Sequence, residues 1–426
     1  MPRKKVSNDT IFVQIASYRD PELLPTLKDM LANAKWPENL RICIAWQHNE
    51  EDTWDTLDEY KNDSRFKIID IHYKDAKGVC WARNKLQRYY NGETYTLQLD
   101  SHHRFSKDWD ETLINMVKHL QKKKYKKPLL TAYLPGYFPN NDPAGRNIEI
   151  WHTSIDRYMP EGPVFIAPNY VNNWQQYKEP IPARFYSGHF GFSLGSFVHD
   201  IPHDPDLYFH GEETSISARA FTHGYDLFHP HIPVIWHEYT REGKKRHWDD
   251  HDFSPLDKRS FRKYKALFGM DGQDRSEFDF VGFDLGKERT LEEFERHIGL
   301  DFRGKRIHQH TLDRKLLPIP SMTDEEWEKS MASRFRYCIN VYKQSVPDDD
   351  YDCWVIAFKD KDGKEICRMD ADEHEVRSIK SNNTPGHFYT IWREFEYSGT
   401  PAKWLLWPHS KSKDWNHEVI EQEIQQ

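Results

Sequence analysis

The chain has no uninterrupted apolar run of the ~18 residues that a bilayer-crossing helix needs, so no membrane span is expected. Its five cysteines (Cys43, Cys80, Cys338, Cys353, Cys367) are odd in number and never stand as C-x-x-C. That excludes a complete disulfide frame and a zinc knuckle and leaves free thiols, the usual state in a cytoplasmic protein. Positive charge is not in excess: 60 Lys and Arg stand against 68 Asp and Glu, a net charge of −8. Bulk electrostatics therefore does not hold this protein on nucleic acid, although a local basic groove remains compatible with the composition. No H-E-x-x-H is present, which removes one familiar metal-hydrolase pattern. There is no internal repeat. The opening "MPRKKVSNDT" is basic but lacks the apolar stretch of a signal peptide, and residues 1–10 are expected to be disordered.

What the chain does have is aromatic area. With 15 Trp, 22 Tyr and 24 Phe, aromatics make up 14% of a sequence that is only 37% hydrophobic, enough to argue against disorder despite 30% charged residues. The 426 residues suit two or three domains. Apolar, β-forming runs alternate with helical patterns over the first ~110 residues. "IFVQIA", "LRICIAWQ", "FKIIDIHY" and "TYTLQLD" read as strands. The stretch from Asp20, with Asp20 as N-cap and Pro21 at the first helical position, reads as a helix, as do "EEDTWDTLDEYKN" and "KGVCWARNKLQRYY". The pattern predicts an α/β fold with a mostly parallel sheet, and such sheets bind ligands beyond the carboxyl ends of their strands. The polar clusters "SYRD", "QHNE" and "DSHHRF" all follow strands.

Further along, "WDETLINMVKHLQ" is a helix and "PLLTAYLP" a strand, and residues 136–184 form a long excursion suited to an acceptor surface. "SGHFGFSLGSFV" and "PVIWHEY" read as strands flanking the helix "GEETSISARAFTHGY", and irregular charged sequence is expected to about Pro320. From 323 to 426, short aromatic runs flanking the Asp-Gly turn of "KDKDGK" predict a small β-sandwich-like domain, and the Gln-rich end "EQEIQQ" a frayed helix.

The chemistry concentrates in "LQLDSHHRF". Asp100 and His102 are two residues apart just past an apolar strand, so in extended backbone they point the same way and can share one divalent ion. A carboxylate with an imidazole suits Mn²⁺ better than Ca²⁺, and diphosphate oxygens would complete the shell. The same two residues also fit a plain polar turn. His237, at the end of "PVIWH", is a third ligand on this reading, or a hydrogen-bonded strand-end histidine. His210, His223, His229, His231, His247 and His251 lie nearby, and counting does not choose among them. Glu212 and Glu213 open a helix whose dipole favours them there, with or without a function. Lys77 and Arg83 are placed to reach a diphosphate, Arg83 through its bidentate fork, or they line a solvated helix face. Gly78 permits close backbone approach.

These pieces stand in an order that resembles the GT-A-fold glycosyltransferases, most closely glycosyltransferase family 60, the polypeptide GlcNAc-transferases that modify hydroxyproline in a cytosolic ubiquitin-ligase subunit. The resemblance rests on "IFVQIASYRDPELLPTL", "GVCWARN", "LQLDSHHRF", "GEE" and "HEYTR" and covers residues 11–250. More remotely the chain is similar to the polypeptide GalNAc-transferases. Their Asp-x-His is matched by Asp100 and His102, their G-G-E-N turn by His210, Gly211, Glu212 and Glu213, and their late histidine ligand by His237. The resemblance implies a GT-A domain over residues 11–320, a UDP-sugar donor with UDP-GlcNAc foremost, retention of anomeric configuration, and Mn²⁺ on Asp100, His102 and His237. It implies that Ala16, Ser17, Tyr18 and Arg19 hold uracil and ribose, that Arg83 and Ser101 belong to the donor contacts, and that Glu212 and Glu213 serve the sugar or the acceptor hydroxyl.

The leading expectation is a cytoplasmic, metal-dependent transferase acting on a protein or glycan hydroxyl. Hydroxymethylated DNA bases are the alternative acceptor, and the acidic net charge counts against them. A catalytically silent sugar-binding protein on the same scaffold would have no need of the acid and ligand residues. A metal hydrolase would need a fuller set of protein ligands.

Overall fold

The computed structural model describes residues 9–159, 161–241, 243–382, 386–397, 399–415 and 418–424. The chain divides into two compact units, one running through Gly304 with His310–Ser321 added, the other formed by Lys305–Gln309 and the chain from Met322 onward.

The first unit is α/β, as the strand and helix pattern predicts. Strands β1 (Ile11–Tyr18), β2 (Leu40–His48), β3 (Phe66–His72), β4 (Tyr95–Leu99), β6 (Lys127–Thr131), β9 (Ile181–Pro182), β10 (Phe190–Leu194) and β11 (Tyr225–His229) form one sheet in the order β3-β2-β1-β4-β10-β6-β11-β9. β3 to β4 run parallel, as do β6 and β11, while β10 runs against both of its neighbours. β1 carries β2 on one side and β4 on the other, so the chain reverses its direction of travel across the sheet there and opens a crevice at the strands' carboxyl ends. Ile15 pairs with Leu99, which sets Asp100 level with Ala16 at that edge. Phe190 also pairs with Leu99, so the residues entering antiparallel β10 reach the same edge. Val13, Ile15, Leu97, Leu99 and Phe192 are buried in the sheet core with Leu27 and Met30 of α1 (Leu23–Asn33) and Leu113 and Val117 of α3 (Trp109–Lys122). A short antiparallel pair, β5 (His103–Phe105) with β12 (Ile235–His237), stands beyond the edge.

Several local expectations are corrected. α1 begins at Leu23 without a side-chain cap, because Asp20 is drawn into the edge and only its Oδ1 accepts the Glu22 N–H (3.0 Å). Residues 50–62 form turns and a single 3₁₀ turn at Asp58–Tyr60 instead of a helix. Their acids have stronger partners elsewhere: Asp52 binds Arg19, and Asp55 accepts from the Trp46 indole (2.7 Å). The 136–184 excursion contains the hairpin β7 (Trp151–Tyr158) and β8 (Val164–Tyr170). The stretch expected to be irregular holds helices at Ser254–Phe268 and Leu291–Ile298, the latter with a Thr290/Glu293 capping box. Of the expected disordered start, residues 1–8 lie outside the described residues, while Asp9 pairs with Lys118 (2.6 Å).

The second unit is β-rich. Met331–Tyr342 pairs with Phe388–Tyr397, Tyr351–Asp360 pairs with Pro401–Ser410 and Glu365–Arg368, and Trp354, Ile356, Phe358, Ile391 and Leu406 lie in its core. Glu373–Ser381 is a helix that the sequence reading missed. The terminal segment is a strand, Ile420–Glu423, laid along Lys403–Leu406 instead of a frayed helix; Gln425 and Gln426 lie outside the described residues. All five cysteines are free, and no described helix is long and apolar enough to cross a membrane.

Candidate active site

β4 is buried along its whole length and delivers Asp100 to the crevice edge. Asp100 Oδ2 lies 3.8 Å from His102 Nε2 and 3.7 Å from His237 Nε2, the only group of metal-ligating side chains found among the described residues. His237 arrives from the end of β12, where its backbone N–H donates to the Pro135 carbonyl (3.0 Å) and the next N–H, of Glu238, to His102 (3.1 Å). These backbone bonds hold the segments that carry His237 and His102 together.

Asp20 holds the His102 ring. Its Nδ1 is 2.7 Å from Asp20 Oδ2, a carboxylate that also accepts from Ser101 Oγ (2.5 Å) and Arg241 Nη1 (2.6 Å). Arg241 Nη1 is also 2.8 Å from Nδ1; with the hydrogen on Nδ1, the two donors share the carboxylate oxygen as acceptor. Burial alone would raise the Asp20 carboxyl, but His102, Arg241 and Ser101 outweigh it and hold it below the usual carboxylate range. With Nδ1–H so engaged, Nε2 presents its lone pair toward Asp100, the arrangement in which a carboxylate orients a histidine ligand. His237 is buried with both ring nitrogens unpartnered, and burial pushes its imidazole down to about 3, so it stays neutral. Burial would raise Asp100 too, but His237, Arg83 and His102 hold it well below the usual range. A carboxylate and two imidazoles converge, and the buried His237 ring, without hydrogen bonds, has a nitrogen lone pair open to a cation. The donor set therefore fits Mn²⁺ or a similar borderline ion.

Arg83 is placed differently from either expectation. It is neither a solvated helix residue nor a free fork for a diphosphate. α2 (Val79–Gln87) buries it, and it donates from Nη2 to Asp100 Oδ1 (2.7 Å) and from Nη1 to Glu212 Oε1 (2.5 Å). Glu212, the first residue of α5 (Glu212–Thr222), also contacts His203 Nε2 (3.0 Å); burial would raise it, and Arg83 and His203 hold it below its ordinary value. Glu213 differs. It accepts the Gly188 N–H (2.8 Å) and the Tyr133 O–H (3.0 Å), and burial pushes it up to about 7 against those bonds.

At the β1 edge, Ser17 is buried and Ala16 half-buried. The Tyr18 hydroxyl donates to Asp250 (2.8 Å), and Arg19 is matched by Asp52 (2.7 and 3.0 Å) and Asp250 (3.0 Å). Ser101 faces Asp20. Lys77 is exposed and no contact ties it to the Asp100 group. Gly78 has φ +103°, and a Cβ there would lie 2.7 Å from the Tyr208 ring, so the close approach it allows is to Tyr208. None of the six other nearby histidines joins Asp100, His102 and His237. Sequence reasoning missed Asp20, Arg241 and His189; His103, expected to point away from the metal group in extended backbone, lies outside that group. Asp20 carried a signal in "SYRD", a strand-end acid, but it was absorbed by the helix-cap reading.

The glycosyltransferase (GlcNAc) family model matches residues 10–69 and 56–304. Among solved structures, GalNAc-T7 with UDP, GalNAc and Mn²⁺ is similar at 17% identity over 67% of this chain and 54% of that one, TM-score 0.46. S. aureus TarS residues 1–349 with UDP-GlcNAc is similar at 13% identity over 61% and 66%, TM-score 0.40. The chain thus spans about half the length of the GalNAc-T7 structure. No curated protein matches. Because the family model takes in well over half of the sequence, from β1 through α5 and beyond, the chain belongs to the glycosyltransferase (GlcNAc) family.

Proposed function

We propose that this chain transfers a sugar, GlcNAc foremost, from a UDP-sugar donor to an acceptor hydroxyl on a protein or glycan, with retention of configuration and in the manner of family 60. The observation that carries the reading is the convergence of Asp100, His102 and the unpartnered His237 at the switch point of the sheet. A divalent ion held there would supply positive charge against the departing diphosphate. The chain's own part is to hold that ion: Asp20 orients His102, and Arg83 ties Asp100 to Glu212. Ala16, Ser17 and Tyr18 line the edge proposed for uracil and ribose. Arg19 has its charge matched internally and acts there by shape and hydrogen bonding. Glu212 stays ionised toward the sugar, and Glu213 is the carboxyl able to change protonation near neutral pH. The hairpin segment 136–184 and the 323–426 domain are the surfaces we assign to the acceptor, and five free thiols fit a cytoplasmic site of action.

UDP release across a panel of UDP-sugars tests this. Release is expected with UDP-GlcNAc and Mn²⁺ and is expected to stop with chelator. His102→Ala is expected to lose at least ~100-fold in metal-dependent turnover. Full turnover by that variant at saturating donor would sink the metal assignment. Mass analysis of protein, glycan and hydroxymethylated DNA acceptors separates the acceptor classes.

A further inference from the structure

His103 faces His237 across the β5–β12 pair, residue against residue. Directly opposed positions in an antiparallel pair share a face and put their side chains in contact. Both residues are buried, and their ring centroids are 5.0 Å apart at 59°. Nδ1 of His103 lies 3.0 Å from the Trp236 carbonyl. A carbonyl only accepts, so Nδ1 carries the hydrogen and Nε2 is left as a lone pair. That Nε2 is buried and unpartnered, and so are both nitrogens of His237. A neutral His237 that offers Nε2 toward Asp100 carries its hydrogen on Nδ1, and that N–H needs an acceptor. The other rings against it are engaged. His189 Nε2 accepts the Leu134 N–H (3.1 Å), and its Nδ1 is 3.1 Å from Ser187 Oγ. The Tyr239 hydroxyl donates to the Leu134 carbonyl (2.8 Å).

We propose that His103 is a positioning residue for the ion site: its Nε2 accepts the Nδ1–H of His237 and fixes the tautomer in which His237 Nε2 serves as ligand. This rests on the metal reading above. His103 is itself no ligand. Neither atom has a hydrogen-bond partner in this structure, so the bond is one the two rings are proposed to make when the ion is held, and partners that orient a metal-bound histidine in this way typically change metal affinity by about 10–100-fold.

The test is Mn²⁺ affinity of the full chain, read by electron paramagnetic resonance of free Mn²⁺ with no donor present. Thermal unfolding in chelator reports folding separately. His103→Phe, which removes the acceptor, is expected to weaken Mn²⁺ binding about 10–100-fold. His103→Gln, which returns an amide oxygen acceptor, is expected to recover most of that loss. Tyr239→Phe is expected to bind within about two-fold of the parent chain. If His103→Phe does not fold, ¹⁵N NMR of the parent chain loaded with diamagnetic Zn²⁺ decides: His237 must be protonated at Nδ1 and coupled to His103 Nε2. Parent-like affinity in His103→Phe, equal losses in the Phe and Gln variants, or protonation of His237 at Nε2 overturns the inference and leaves the metal reading standing. A parent chain that takes up no Mn²⁺ overturns both.

Discussion

Asp20 shows what a single residue can hide. In the sequence it reads as a helix cap, because Asp before Pro ahead of an apolar helical stripe has that meaning more often than any other. In the fold the same carboxylate is buried and gathers Ser101, His102 and Arg241. Nothing in the spacing of residues 20 and 102 reveals that pairing, because the parallel register of β1 and β4 creates it. Asp20→Asn keeps the shape but weakens the acceptor for three donors, and is expected to lower Mn²⁺ affinity about ten-fold or more; a titration showing parent-like affinity contradicts this role. Asp100 and His237 were legible because they stand at the ends of apolar strands, and His102 because it follows Asp100 by two residues. Arg83 was legible as a site residue, but its partners were not. Glu213 permits a prediction with a definite sign. Its carboxyl is raised from 4.5 to about 7 in the fold, so the protonated form is the one the fold favours. That contribution is complete below pH 4.5 and is lost as pH rises through 7, with a slope of at most about 1.4 kcal/mol per pH unit. Glu213→Gln removes the titration. Denaturant midpoints at pH 5 and 7.5 should therefore differ less in the variant than in the parent, and an unchanged difference would show that Glu213 does not titrate there.

At the scale of elements, the strands leading to the site were readable and the connections were not. β1 to β4 announce themselves as apolar runs, and each is found where the run is. The acidic stretch 50–62 has a helical composition, yet Arg19 and Trp46 take its acids and the backbone turns instead. The hairpin β7–β8 was obscured because its aromatic, amide and proline residues blur the period-two pattern that marks a strand. The loop into α2 gives this scale its prediction. Gly78 combines φ +103° with a wall formed by the Tyr208 ring. An alanine there meets both the unfavourable backbone region and the ring, so Gly78→Ala is expected to cost about 2–4 kcal/mol. The Tyr208 hydroxyl is 2.8 Å from His247 Nδ1, and the His247 ring lies against Tyr18. The strain therefore falls on the β1 edge, and UDP affinity should drop together with the denaturant midpoint. A loss of stability with unchanged UDP binding would detach that edge from the donor.

At the scale of the molecule, two kinds of core divide the work. The first unit buries aliphatic residues of a mainly parallel sheet and carries every residue of the Asp100 site. The second has its own core, centred on Trp354, Ile356 and Phe358, and none of its described residues belongs to the Asp100 group. Its β character was visible in the aromatic runs and the Asp-Gly turn. The helix Glu373–Ser381 was not, because it buries only Val376 and so has almost no apolar stripe to read. The separation of cores has a measurable consequence. Trp354 is fully buried, and truncating such a side chain to alanine costs about 3–5 kcal/mol. That is enough to unfold a domain of ordinary stability. Because the proposed ion site draws its residues from the first unit, Trp354→Ala is expected to abolish or lower one calorimetric transition while the other still shifts upward with Mn²⁺. A single transition that Mn²⁺ no longer moves would mean that the two cores unfold as one, and that the acceptor role proposed for residues 323–426 cannot be tested by damaging them alone.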